Sequence, residues 1–506
     1  MKAEIKSDKN PPTRSSTFSI YHPKLWIEGV ESEGNGASLE INNPSTGEVG
    51  AFFKSASFVD VDRAFQSAKS AQSGWEALGF ENRWRLIDKW KELLMSKKAQ
   101  LLEILEAETG KSPWDAESEL TAFFNKWPLT EKAYHEFLTE KKTEHESWTY
   151  RSMGVFAVLG PFNFPLHLPG GQILPALATG GAVIFKPSEF TSTASHLYVQ
   201  TAHEAGIPPG ILNLVLGAGD IGEAVISHPH LDAVLFTGSQ RVGLSIYQKL
   251  ASTPHKLVAL EMGGCNALVI SAVKDIEAAV SQIILSSFIS SGQRCSCTRR
   301  LILIENPAYP SLLKAFLGKA RKIKIGAYFE AQNPSQVPFM GPLIRPQGVQ
   351  EVLQFQERLL ARGGQILLKA ERLNKKGNWI SPGVILMKKE SLISNEECFG
   401  PILQVCLAKD LDEAIDIAND TTMGLTASLL SDNPSEFDSF RQKVNAGVIN
   451  WNEPTTGASS KLPFGGIKGS GNHRPSGYTM ITSCVWPVAS KTCATLKPTQ
   501  LIGVDS

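Results

Sequence analysis

The chain is short of several things that would place it in a class by themselves. It carries no net charge, because 50 lysine and arginine residues balance 50 aspartate and glutamate residues. Nucleic acid and anionic membrane surfaces therefore find no electrostatic footing as partners. No apolar run approaches the ~18 residues of a spanning helix. The first 18 residues intersperse Lys2, Lys6, Lys9 and Arg14 with Glu4 and Asp8 and lack the apolar core of a secretory signal, so residues 1–22 read as a polar extension. Cysteine is sparse and odd in number, seven in 506 residues, which argues against a disulfide framework and for a reducing cytoplasm. Cys295 and Cys297 form a Cys-x-Cys with no second Cys or His pair at zinc spacing, so no metal site is expected. Internal repeats and low-complexity tracts are missing as well.

The remainder is ordinary globular material, 42% hydrophobic and 20% charged, long enough for two large domains. The first third reads as helical. Asp60 is placed to cap a helix through Ala71. Leu86, Trp90 and Leu93 or Leu94 share one face of a helix over roughly 81–95. A third helix runs from Ala99 to Glu108 and stops at Gly110. A fourth, around 115–138, contains Trp127-Pro128 and should kink or break there. Short apolar runs follow at 155–159, 182–185, 233–236, 257–260 and 267–270, with room for crossover helices such as 193–205. A second alternation begins after Cys295, with a strand at 300–304 and a helix at 309–322. The expectation is two successive α/β domains with parallel sheets.

Several segments carry residue types suited to chemistry. Cys295 follows Gly-Gln-Arg and lies 34 residues after Glu261 in Leu-Glu-Met-Gly-Gly. A thiol and a carboxylate, each beside glycines, suit covalent catalysis: the thiol attacks a carbonyl and the carboxylate activates the water that ends the covalent stage. A lone cysteine is equally at home as a small buried apolar residue. Asn163, in Gly-Pro-Phe-Asn-Phe-Pro, is either a structural amide or a preorganised donor to an oxyanion. Phe236-Thr-Gly-Ser-Gln-Arg-Val-Gly243 joins a strand to a helix whose Val242, Ile246 and Leu250 would face the sheet. The start of that helix suits a phosphate, although a plain strand-to-helix turn has the same form. Lys186 and Glu189 end another strand, where they either meet a ribose or are simply solvated.

Taken together, these segments resemble the aldehyde dehydrogenase superfamily over about residues 25–490. The resemblance rests on Glu108-Thr-Gly-Lys111, the Pro-Phe-Asn-Phe-Pro loop, Lys186-Pro-Ser-Glu189, Phe236-Thr-Gly-Ser239, Leu260-Glu-Met-Gly-Gly264, Gly292-Gln-Arg-Cys295, Glu396-Glu-Cys-Phe-Gly-Pro401 and Pro463-Phe-Gly-Gly466, all in one order. It implies an α/β fold of two parallel-sheet domains with a small β bridging arm. The NAD-binding domain would take residues 23–135 and 153–262, the catalytic domain 263–460, and the arm 136–152 and 461–490, with 491–506 as a tail. Cys295 would be the nucleophile, Glu261 the general base and Asn163 the oxyanion donor. Lys186 and Glu189 would hold the adenosine ribose of NAD. Gly238, Ser239, Gln240, Arg241, Val242 and Gly243 would lie at the pyrophosphate, and Glu397 and Phe399 at the nicotinamide half. Subunits would assemble as a homodimer or homotetramer.

A narrower likeness, in Ala133-Tyr-His135, Phe164-Pro-Leu-His-Leu-Pro169, Cys295-Ser-Cys-Thr-Arg-Arg300, Asn450-Trp-Asn452 and Gly469-Ser-Gly-Asn-His-Arg-Pro-Ser476, implies an acidic semialdehyde as substrate. N-succinylglutamate semialdehyde leads, with glutamate and succinate semialdehyde as alternatives and a non-catalytic relative of the fold as the other class. Lys126, Lys132, Arg299, Lys461, His473 and Arg474 are positioned to meet its carboxylates or to form ordinary ion pairs. Cys265, Ala267, Cys398 and the Gln240-Arg241-Val242 turn depart from the family pattern without touching Cys295, Glu261 or Asn163.

Overall fold

The computed structural model describes residues 20–330, 333, 336–496, 498–499 and 502–503. Most of the polar extension, residues 1–19, lies outside the described residues. From Tyr21 the chain is already paired, bridging to Ala51.

Two seven-stranded sheets organise the molecule. In the first, the spatial order is Leu257–Met262, Ala233–Gly238, Val155–Leu159, Ala182–Lys186, Leu212–Leu214, Leu25–Ile27 and Val30–Ser32. Its first five strands are parallel and the last two antiparallel. In the second the order is Gln365–Leu368, Gly383–Leu386, Ile402–Ala408, Thr298–Ile304, Asn266–Ile270, Thr426–Leu430 and Val448–Trp451. Only its first pair is antiparallel. The central strands are apolar throughout because helices cover both faces. Val155–Leu159, Ala182–Lys186 and Thr298–Ile304 are buried along their whole length, while Phe58–Ala77 and His167–Ala178 pack on the first sheet. A third sheet pairs Val485–Lys491 residue for residue with Glu146–Ser152 and adds Lys141–Lys142. Within the segments expected to form the bridging arm, residues 463–476 lie apart from this sheet and reach the cleft described below.

The helical third differs from expectation in ways with local causes. The helix Phe58–Ala77 is capped by Ser57, and Asp60 is the reciprocal member of a capping box, its carboxylate accepting from the Ser57 N–H at 2.8 Å. It runs past Ala71 because buried Trp75 is tied to the Leu177 carbonyl. In Phe80–Ser96 the buried face is Phe80, Trp84, Ile87, Trp90 and Leu94, with Leu86 and Leu93 half-buried at its margin. The helix Lys98–Thr109 stops at Gly110, which takes φ +70°; a Cβ there would meet Pro342 at 2.5 Å. The expected break near Pro128 falls at Asn125, between Pro113–Phe124 and Lys126–Phe137. Pro128 is thereby in the first turn, where a missing N–H costs nothing. No helix among the described residues is long and apolar enough to cross a membrane.

Candidate active site

In the first sheet the chain reverses direction of progress between Val155–Leu159 and Ala233–Gly238, which lie side by side. Ligand crevices in such sheets open outside the carboxyl ends of the strands at this reversal. A cleft of about 1820 Å³ lies there, lined by Asn163, Lys186, Glu189, Gly238, Ser239, Arg241 and Val242 from this side. Glu261, one residue before the end of Leu257–Met262, joins them. The second sheet meets the cleft with its amino ends: Cys295 precedes Thr298–Ile304, and Glu397 and Phe399 precede Ile402–Ala408.

Two expected residues fall outside the lining. Gln240 turns away and donates to the Gly469 carbonyl at 3.1 Å. Gly243 packs into the core, where a Cβ would meet the Met262 sulfur at 2.4 Å. Val242, expected to face the sheet, is 39% exposed; it lies in the first turn of Gln240–Leu250, at the rim, and only Ile246 and Leu250 reach the core. Ser239 caps this helix through the Val242 N–H.

The loop before Cys295 is held by distant residues. Ser290, Ser291 and Gly292 occupy the left-handed region in succession, with φ of 51°, 57° and 74°. Gly292 has no alternative, since a Cβ would sit 2.2 Å from the Gly400 carbonyl oxygen. Such conformations persist only where neighbours hold them. Here buried Asp115 accepts from the Ser290 hydroxyl and from Arg294, both at 2.6 Å, and Ser291 donates to the Gly341 carbonyl. On the far side of Cys295, Asn266 donates to the carbonyls of Cys295 and Cys297 at 2.7 and 2.8 Å and accepts from the Thr426 N–H. Arg299, earlier considered for substrate, is buried and acts as a strut. It donates to the carbonyls of Gly292, Arg294 and Gly400 and to the Glu397 carboxylate at 3.2 Å. Asn266 and Asp115 carry no motif that the sequence reading used. The available signal was a polar residue opening the otherwise apolar strand Asn266–Ile270.

Asn163 is buried, and one amide N–H is held by the Gln293 carbonyl at 2.9 Å. A primary amide has a second N–H, and this side chain lines the cleft. The chain at 470–472 runs beside the edge strand Leu257–Met262: Gly471 bridges Glu261, Met262 donates to the Ser470 carbonyl, and Leu260 donates to the Asn472 side chain. That segment leads to Ser476, whose N–H meets one Glu261 oxygen at 3.3 Å; the other, Oε2, is buried without a partner.

The electrostatics follow from this enclosure. Burial pushes the Cys295 thiol up to about 12, with Glu397, Glu261 and Cys297 adding to the rise and Arg299 opposing it. Burial likewise holds the Glu261 carboxyl well above the usual carboxylate range, against the single N–H of Ser476. Glu397 is raised by burial and partly restored by Arg299. Burial lowers Lys186, with Glu189 and Asp220 opposing. All seven cysteines are free; Cys295 is half-buried, Cys493 is exposed and the other five are buried. Among the described residues no cluster of His, Cys, Asp and Glu is arranged to hold a metal ion.

The fold and this cleft define a known class. The aldehyde dehydrogenase family model matches residues 30–486, and the chain belongs to that family. It is similar to N-succinylglutamate 5-semialdehyde dehydrogenase of Escherichia coli K12, 41% identical over 92% of this chain and 95% of that protein. The protein of the same name from Shigella flexneri is 40% identical over the same shares. Among solved structures, betaine aldehyde dehydrogenase from Staphylococcus aureus in complex with NAD⁺ superimposes with a TM-score of 0.89 at 26% identity, covering 96% of this chain and 97% of that one. A 1-pyrroline-5-carboxylate dehydrogenase from Thermus with bound NAD gives 0.87 at 27% identity, covering 97% and 99%.

Proposed function

We propose that this protein oxidises N-succinyl-L-glutamate 5-semialdehyde to N-succinyl-L-glutamate with NAD, a step of arginine catabolism. The observation that carries the reading is the joint lining of one cleft by Cys295, Glu261 and Asn163, in a chain 41% identical to an enzyme of that name.

The cleft has the donor set that a dinucleotide needs. Among the described residues Lys186 Nζ donates only to the adjacent Pro187 carbonyl, and the Glu189 carboxylate has one long hydrogen bond, from the Ser188 hydroxyl at 3.5 Å. A lysine and a carboxylate with spare capacity suit a ribose diol, and the carboxylate repels a 2′-phosphate at the same place. The amino end of Gln240–Leu250 offers backbone N–H groups to a diphosphate. When bound, NAD supplies the hydride acceptor.

The protein's own groups do the rest. The Cys295 thiol, which burial keeps protonated at rest, passes its proton to water in the cleft as its sulfur bonds to the aldehyde carbon. The free N–H of Asn163 meets the oxygen that becomes negative in that step. After oxidation the acyl group is held as a thioester on Cys295. Glu261, in its ionised form, takes a proton from the water that cleaves this thioester. Its raised pKa makes it a stronger base than an exposed carboxylate. We assign residues 23–135 and 153–262 to cofactor binding and 263–460 to catalysis. We place the enzyme in the cytoplasm; a homodimer or homotetramer is supported by the edge position of Val485–Lys491 and exposed Trp486.

NADH absorbance with N-succinylglutamate, glutamate and succinate semialdehydes tests the reading. The first should give the highest kcat/KM. A tenfold preference for either of the others would replace it.

A further inference from the structure

Three cations gather around His167, and two of them are neutralised. Lys111 is paired with Glu119 and Arg294 with Asp115, and both stack on the Phe164 ring. Lys126 is different. The residue is 8% exposed, and among the described residues no carboxylate lies within ion-pair distance. Among the described residues its ammonium makes one hydrogen bond, a long one, to the Ser460 hydroxyl at 3.5 Å. An ammonium with three donors, buried against one neutral oxygen, is costly to keep. Burial alone draws it down to about 8.

The surroundings reinforce the point. Gly171 makes room for the lysine, since a Cβ there would lie 3.3 Å from its Nζ. Leu168, one turn earlier on the same helix face, lines the cleft. So does Phe464, four residues after Ser460. His167, on the same helix, has its Nδ1 enclosed with no partner. Lys126 and Lys111 help burial to hold that ring well below its ordinary pKa, and therefore neutral. A weakly satisfied ammonium and an unpartnered ring nitrogen thus lie beside Leu168 and Phe464, which line the cleft.

We propose that Lys126, with the Ser460 hydroxyl beside it, receives the substrate carboxylate remote from the aldehyde carbon. This rests on the acidic-semialdehyde reading above and names the residue that enforces it. The bond is non-covalent: a carboxylate accepts from the ammonium and the hydroxyl, and the buried charge gains its counterion.

The experiment compares kcat/KM for N-succinylglutamate semialdehyde with that for uncharged pentanal in the wild type, Lys126→Met and Lys126→Gln. The acidic-to-neutral ratio should fall about 10- to 100-fold in both variants, the scale of one charge-assisted hydrogen bond, and the loss should appear in KM. Succinate should compete with pentanal in the wild type and bind at least about tenfold more weakly in the variants on the same scale. The ligand-free Lys126→Met protein should melt no lower than the wild type, because an uncompensated buried charge has been removed. A merely structural lysine would lower the melting temperature and leave the ratio unmoved, and that result overturns the proposal. A wild type that prefers pentanal instead overturns the acidic substrate itself; succinate competition then decides Lys126 on its own.

Discussion

The two large sheets meet the same cleft with opposite ends. The first offers its carboxyl ends, which deliver Lys186, Gly238 and Glu261 directly and Asn163 just beyond the strand. The second offers its amino ends, which deliver Cys295, Glu397 and Phe399 from the loops that enter its strands. The difference is one of support. A residue at the end of a buried parallel strand is placed by the sheet itself. The cysteine loop is placed by side chains outside it: Asp115 from a helix of the first third, Asn266 from the neighbouring strand, and Arg299 from the strand that follows the loop. On the proposed mechanism, bond making belongs to the amino-end loop and charge handling to the carboxyl ends.

The largest effect should come from the sulfur. Cys295→Ala should abolish the acyl adduct in intact-mass analysis and NADH formation with it. Cys297→Ala should keep most activity, since that thiol is buried against the Ile289 carbonyl. An acyl group found on Cys297 would break the comparison at its centre.

Glu261→Gln comes next, with about 10²–10⁴ lost from thioester hydrolysis. Rapid mixing should show a burst of about one NADH per site, as expected when a general base serves only the second step, with the acyl group retained on Cys295. The sign of the pH effect follows from the raised carboxyl. Only its ionised form accepts a proton, so wild-type deacylation should rise with pH through a value above the ordinary carboxylate range, and the variant should lack that limb. Normal turnover by a folded variant would refute the assignment.

Asn163→Ala should cost ~2.7–4 kcal/mol, or about 10²–10³, in single-turnover NADH formation. A loss under about fivefold would be too small for an oxyanion donor. The smallest effect is expected at Asn266→Ala, which strips the donor from two carbonyls of the cysteine loop and should cost about 1–3 kcal/mol in urea-unfolding stability. Its acylation rate should fall less than that of Asn163→Ala. A larger fall would mean that the loop, rather than the oxyanion donor, limits the chemistry.

The same contrast governs what could be read from the amino acids. Strands such as Val155–Leu159 are continuous apolar runs because both faces are covered, and such runs are visible in a sequence. The start of Gln240–Leu250 misled because Val242 has the right spacing for the core yet lies in the first turn, on the cleft rim. The left-handed run at Ser290 and Ser291 is invisible because serine does not announce positive φ. It is held by Asp115 and by the Gly341 carbonyl, which are far away in the chain and have no periodic relation to the loop. The sequence left Arg299 open between a substrate carboxylate and an ion pair because charge, unlike burial, is what a sequence displays; the structure pairs it with Glu397. The Gly-Gln-Arg-Cys, Leu-Glu-Met-Gly-Gly and Pro-Phe-Asn-Phe-Pro segments were legible because each sets a chemically capable side chain beside residues that shape a turn.

The pairing of residues 470–472 with the strand Leu257–Met262 has a consequence for how the protein is made. A ribosome delivers the first sheet early, and its strands can associate as soon as they emerge. The strand bearing Glu261 stays open along one side until the chain has grown past Asn472, and the Ser476 N–H arrives later still. At ~5–20 residues per second this interval lasts on the order of tens of seconds. Throughout it the nascent molecule exposes an apolar strand edge able to pair with another chain. A ribosome stalled after Cys295 but before Ser476 would hold a chain that has its nucleophile and lacks a finished base, so competence for turnover should arise only near the end of translation.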